Sequence, residues 1–296
     1  MNKLFNVLKF TLTHPLNKNR KIQAFITLLR WQVGSRLLSC EIVYPWISGI
    51  KVLTRAGETG FTGNIYAGLH EHQEMLFCLH LLGVNDLFVD VGANIGSYSL
   101  LVSKICGSQC IAFEPSDDTF KRLTANIQKN NLQNLVTTYK CALGNEVGVK
   151  KFTKNFDTVN HLVADDELIN EYIEVEMSTI DLMMAEKKPS AMKIDVEGYE
   201  TLVVEGANNV LRSPKMNVVI MELNGSGVRY GFDETALLNK MIGYGFKPYV
   251  YNPFTRKLIH LNGKTQNGNT IFIKNLNAVE QAISMSKPIL INGNLI

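Results

Sequence analysis

Residues 87–101 read Leu-Phe-Val-Asp-Val-Gly-Ala-Asn-Ile-Gly-Ser-Tyr-Ser-Leu-Leu, and this stretch decides the fold. Leu87 to Val91 is a short, nearly all-apolar run, the pattern of a strand buried on both faces. Gly92 and Gly96 allow a tight turn. A helix follows from about Ile95 to Cys106. Strand, glycine turn and helix form the first half of a βαβ unit.

The same alternation continues outward. QCIAFE (109–114), LVTTYK (135–140), SAMKIDV (190–196) and NVVIMEL (217–223) read as further strands. Helices are predicted over 117–131, 200–211 and 234–242, a strand over 247–251, and a closing pair near 257–261 and 270–274. Residues 144–176 look like an antiparallel excursion. Strands separated by helices imply a doubly wound α/β fold with a mainly parallel sheet, here of seven strands. Upstream, HEHQEMLFCLHLL (70–82) has helical spacing, residues 41–70 read as turns and brief strands, and 20–40 as a basic amphipathic helix. The expected division is a basic helical extension over 1–63, one catalytic domain over 64–275 and a tail over 276–296.

Composition narrows the function. The hydrophobic fraction of 46% and charged fraction of 19% describe a globular chain. No apolar run reaches the ~18 residues of a spanning helix. Residues 1–41 hold seven of the 30 basic residues and one of the 27 acidic ones, leaving 23 and 26 for the rest. A basic head on a slightly acidic body suits an anionic surface and argues against a nucleic-acid partner. Peripheral contact with an anionic membrane through residues 20–40 is therefore expected, against the alternative that this helix only docks on the body. The five cysteines are scattered without a C-x-x-C pair, and the N-terminus lacks a signal-peptide pattern, so a cytoplasmic setting is expected, peripheral at most to the inner membrane face.

Ligands of such sheets sit beyond the strand carboxyl ends, which makes Asp90, Glu114, Asp195 and Glu222 the candidates. A dinucleotide fingerprint needs glycine at 92, 94 and 97, and Asn94 and Ser97 break it. Asp90 would also repel a pyrophosphate. S-adenosylmethionine has no phosphate and carries an ammonium and a sulfonium, which gain from a carboxylate. Glu114 stands where an acid accepts ribose hydroxyls. Asp195 and Glu197, in MKIDVEGYE, supply a general base or orient an acceptor. On the bland alternative, Asp195 caps a helix and Glu197 pairs with Lys193 or an arginine. His161 is a further catalytic candidate in the excursion, and Glu222 and Asn224 face the acceptor side. Asp195, Glu197 and Glu222 are oxygen ligands of the kind a divalent cation takes, but without a close D-x-D grouping no metal is expected.

With these residues in place, the chain resembles the FkbM family of methyltransferases. The matching segments are FVDVGANIGSYSLL, AFEPSDDTFKRLTANI, CALG at 141–144, KIDVEGYETLVVEGA, and VVIMELNGSG with RYGF. The resemblance implies an S-adenosylmethionine site on Asp90, Gly92, Asn94, Gly96 and Glu114, with adenine near Ala142 and Leu143. It implies that the Asp195–Gly198 segment lies beside the transferred methyl. It also implies O-methylation of a small molecule, sugar, glycolipid or polysaccharide hydroxyl. Two rival readings are an NAD-dependent oxidoreductase and a non-catalytic methyltransferase-like scaffold in a membrane-associated glycan assembly.

Overall fold

The computed structural model describes all residues except 1, 39, 155–158, 165–166 and 267, and the side chains of 2, 3 and 59. The chain opens with helices α1 (Asn2–Thr13) and α2 (Lys21–Leu38), then a hairpin of β1 (Ile42–Pro45) and β2 (Lys51–Thr54). Helices α3 (Thr59–Ala67) and α4 (His72–Leu81) lead into the alternating part. The stretch at 87–101 forms β3 (Leu87–Val91) and α5 (Ser97–Ile105), as the sequence implies. Then come β4 (Gln109–Phe113), α6 (Asp117–Lys129), β5 (Val136–Tyr139) and β6 (Ala142–Leu143). The excursion is β7 (Gly148–Thr153) and β8 (Tyr172–Ser178), paired antiparallel, with β6 beside β8. After α7 (Ile180–Met183) run β9 (Ala191–Ile194), α8 (Glu200–Glu205), α9 (Asn208–Arg212) and β10 (Val218–Glu222). The remainder is α10 (Glu234–Gly243), β11 (Lys247–Asn252), β12 (Lys257–His260), β13 (Asn269–Ile273), α11 (Leu276–Met285) and a β14–β15 hairpin (Leu290–Ile291, Asn294–Leu295).

The main sheet has the order β12-β11-β13-β10-β9-β3-β4-β5. The five strands from β10 to β5 are parallel, and β13 inserts antiparallel between β10 and β11. Two expectations change here. The sheet has eight strands, because β12 adds to the β11 edge, and the predicted closing pair does not pair with itself. The insertion of β13 is a non-local pairing that no short-range pattern records.

Alternate residues of the central strands face opposite layers. Phe88, Cys110, Ala191 and Ile220 pack with α4, α5, α6 and α11. Val89, Val91, Ile111, Met192, Ile194 and Val219 pack with α7 to α10. Helix α3 runs across residue 63, Leu16, Leu28, Trp46 and Phe61 join the α4–α5 core, and Val279, Ile283 and Ile291 of the supposed tail are buried in it. Residues 41–70, expected as turns and brief strands, contain the helix α3 beside the β1–β2 hairpin. Among the described residues, no helix is long and apolar enough to cross a membrane.

The docked face of α2 gives a sharp test. Leu28 is 3% exposed and its neighbour Leu29 is 45% exposed. Leu28→Ala should destabilise by about 2–4 kcal/mol, and Leu29→Ala by less than about 0.5 kcal/mol. Denaturant unfolding followed by circular dichroism measures both. Equal effects would mean that α2 does not dock by this face.

Candidate active site

The carboxyl ends of β3, β4, β9 and β10 open into a cavity of about 330 Å³. The chain turns sharply at each rim, and two glycines are required there by neighbouring backbone. Gly92 has φ +80°, and a Cβ on it would overlap the Asp195 carbonyl oxygen at the end of the adjacent strand. Gly198 has φ +107°, and its Cβ would lie 2.6 Å from the Ser226 carbonyl oxygen. These turns therefore bring the loops after β3, β9 and β10 into direct contact.

At one end of the cavity stand Asp90 and Glu114. Asp90 is buried, and its carboxylate accepts hydrogen bonds from the Ser99 amide at 3.1 Å and hydroxyl at 2.6 Å. Burial raises its pKa. Glu114 accepts from the Asn94 amide at 3.1 Å and the Ser116 amide at 2.9 Å. Burial pushes its carboxyl up to about 7, against those two hydrogen bonds. Asn94 takes a left-handed φ of 51°, which presents its amide to Glu114. Phe113, Pro115, Ala142 and Leu143 supply apolar wall. Gly92, Asn94, Ala142 and Leu143 thus line the cavity as expected, but Gly96 does not. It precedes α5 at φ +97° and faces Leu123.

Around Lys193 a buried cation meets a group of acids. Lys193 of β9 is buried, and its ammonium bonds to Asp195, lies 3.9 Å from Glu71 and sits 4.9 Å above the Tyr98 ring. Burial alone would lower its pKa, yet Asp195, Glu71 and Asp90 outweigh burial and hold it well above the ordinary lysine range. Glu71 also accepts from the Tyr98 hydroxyl at 2.7 Å and the Asn269 amide at 2.8 Å. Asp195, Glu197 and Glu222 bring carboxylate oxygens within 4.8 Å of one another. Burial, then the Asp195 carboxylate, pushes Glu197 to about 7 and Glu222 to about 8. Glu200 ties the turn by accepting from the Val196 amide at 3.1 Å and the Gly198 amide at 3.2 Å.

Two expected residues stand elsewhere. His161 is buried outside the cavity lining, with Nε2 3.0 Å from Glu167 and Nδ1 2.8 Å from the Val159 carbonyl oxygen. It braces the excursion, while its neighbours Asn160 and Leu162 reach the cavity. Asn224 is exposed, and its side chain accepts from the Ser226 amide in the turn after β10. Asp195 neither caps α8 nor stands alone, since its partner is Lys193. The cavity also takes Gly60 and Asn64 from α3 and His70 and Glu71 from the loop before α4, which sequence reasoning did not assign to the site.

The profile of the methyltransferase FkbM domain matches residues 90–248, just over half of the 296 residues. The chain belongs to the FkbM methyltransferase family. It is 31% identical to the hexuronic acid methyltransferase AglP of Haloferax volcanii over 147 residues, which are 47% of this chain and 56% of that one. It thus spans little more than half the length of that relative. It is 26% identical to the methyltransferase sdnD of Sordaria araneosa, covering 49% of this chain and 69% of the relative. The crystal structure of a methyltransferase FkbM from Methylobacillus flagellatus KT is 15% identical, covers 65% of this chain and 44% of its own, and has a TM-score of 0.45.

The FkbM domain is an S-adenosylmethionine-dependent methyltransferase domain, and the residues present fit that cofactor. Two buried carboxylates of raised pKa suit a ligand with an ammonium, a sulfonium and hydroxyl donors, and they oppose a pyrophosphate. Glu114 and Asp90 would hold its donors, and Ala142 and Leu143 its adenine. Ribose hydroxyls donate to the ionised form of Glu114, so protonation of Glu114 opposes binding. Affinity for S-adenosylhomocysteine should therefore fall by up to about tenfold per pH unit below about 7, as titration calorimetry would read. Glu114→Gln should bind more weakly at alkaline pH and lose this dependence. A flat profile in the unaltered protein would remove Glu114 from the ligand contacts.

Proposed function

We propose that the protein is an S-adenosylmethionine-dependent O-methyltransferase that acts on a sugar hydroxyl, free or within a glycolipid or polysaccharide. The carrying observation is the convergence of Asp195, Glu197 and Glu222 beside the cofactor end of the cavity. The name of the Haloferax volcanii relative supports a sugar acceptor. The proposed setting is the cytoplasm, in glycan or polysaccharide synthesis.

When bound, S-adenosylmethionine supplies a methyl group on a positively charged sulfur. The chain's own task is to align the acceptor oxygen and take its proton. Asp195 is engaged by the Lys193 ammonium, which fits it to hold and orient. Among the described residues neither Glu197 nor Glu222 has an ammonium or guanidinium bonded to its carboxylate, and Glu222 is the more basic. We assign proton removal to Glu222, whose carboxylate would take the proton of the acceptor hydroxyl as that oxygen gained the methyl group the cofactor would supply, the C–S electron pair staying with the cofactor's sulfur.

The acceptor end sets four carboxylates, Glu71, Asp195, Glu197 and Glu222, against the Lys193 ammonium, with the Arg229 guanidinium 3.1 Å from the Glu197 carbonyl oxygen. A neutral or amino sugar fits this balance better than a free uronate, whose carboxylate would meet like charge. The base must be ionised, so the rate should rise with pH and level off above about 8. Glu222→Gln should remove that rise and cut methyl transfer by about 10²–10⁴-fold. The assay is transfer of labelled methyl to a panel of hexosides, hexosaminides and hexuronides, with and without chelator. Full activity of Glu222→Gln would move the base to Glu197. Activity lost to chelator with the fold intact would replace the base by a cation. Absence of both S-adenosylhomocysteine binding and methyl transfer would sink the reading.

A further inference from the structure

Helix α2 carries two apolar faces. Ala24, Leu28, Trp31 and Ser35 recur at helical spacing and are buried against the body. Trp31 meets Tyr44 edge-on, with ring centroids 6.0 Å apart. Ile22, Ile26, Leu29, Val33 and Leu37 recur at the same spacing on the opposite side, and all are exposed, Ile22 and Leu37 by about three-quarters. Phe25 is exposed beside this stripe. A helix that only docked would keep polar residues on its outer face. Contiguous exposed apolar surface of this kind marks an interaction site.

The charges select the partner. Residues 1–40 contain no aspartate or glutamate. At 100° per residue, Arg36 and Lys21 lie on one flank of the outer stripe and Arg30 on the other, all exposed. The neighbouring α1 adds exposed Leu4, Phe5 and Lys9. A two-fold pair of chains meeting through this stripe would set the same cations against each other, which costs energy. An anionic lipid surface offers the opposite charge to the flanks and hydrocarbon to the stripe.

We propose that the outer face of α2 lies in the interface of an anionic phospholipid bilayer, with Ile22, Ile26, Leu29, Val33 and Leu37 among the acyl chains and Lys21, Arg30 and Arg36 at the phosphates. This is independent of the catalytic reading. It also resolves the choice between docking and membrane contact, because each function has its own face of the helix.

Sedimentation of the full chain with vesicles tests it. The protein should pellet with phosphatidylglycerol-containing vesicles, bind pure phosphatidylcholine much less, and be released by raised salt. The triple variant Ile26→Ser, Leu29→Ser, Val33→Ser should bind about tenfold more weakly or less, with its thermal unfolding and S-adenosylhomocysteine binding unchanged, since these side chains are exposed. Arg30→Glu with Arg36→Glu should weaken binding and its salt dependence together. The proposal is overturned if the unaltered protein stays in the supernatant at low salt, or if the triple variant pellets as well as the original. It is also overturned if the chain is a dimer in solution that the same three substitutions dissociate.

Discussion

A single buried ammonium organises this molecule. Lys193 stands in the middle strand of the sheet, level with Asp90 on β3 and Ile220 on β10. Taking a lysine out of water costs several kcal/mol, and only paired charges repay it. Asp195 bonds to it directly, Glu71 lies at 3.9 Å, and the Tyr98 ring covers it. Glu71 in turn holds Tyr98 of α5 and Asn269 of β13. Through Glu71, the ammonium thus links β9 to the start of α4, to α5 and to β13, an antiparallel strand inside the sheet and far away in sequence. Without it, Glu71, Glu74, Asp90, Asp195 and Glu222 would share one low-dielectric region as uncompensated acids.

The same geometry explains why the turns need glycine at 92 and 198. In the fold, the space a side chain would need is filled by the Asp195 carbonyl at one site and the Ser226 carbonyl at the other. Each glycine lets the end of one strand touch the loop of the next, and the cavity exists because those loops converge. The ligand benefits indirectly, through Asn94, Glu197 and the backbone positions that this crowding fixes.

Most of the sheet was legible because its parallel strands are short, mostly apolar and bounded by turns. Asp90, Glu114, Asp195 and Glu222 were legible because an acid at the carboxyl end of such a strand has little structural excuse. What stayed hidden is non-local. Lys193 entered the reading of MKIDV only as a partner for Glu197, since nothing adjacent shows the Glu71 and Tyr98 that surround its ammonium. Helix α3, TGFTGNIYA, contains two glycines and threonines, and tertiary packing of Phe61 and Ile65 overrides weak propensity. His161 and Asn224 were chosen as polar residues near the site, yet both spend their polar atoms on local backbone and side-chain partners. In α2 the two apolar faces oppose each other, so no single side stands out, and Trp31 faces inward.

Charge is distributed in this chain by depth as well as by sequence. Lys9, Lys18, Lys21, Arg30 and Arg36 of the first 40 positions are exposed, and a group of acids converges inside the cavity. Screening acts strongly on the first group and weakly on the second. Surface cations therefore confer an attraction that salt weakens, suited to reversible contact with an anionic surface. Buried carboxylates confer one that salt hardly affects but protons do, since their pKa values lie near 7 and 8. The proposed capture by α2 and the proposed chemistry in the cavity would thus be set by different solution variables, and each could be varied while the other is held constant.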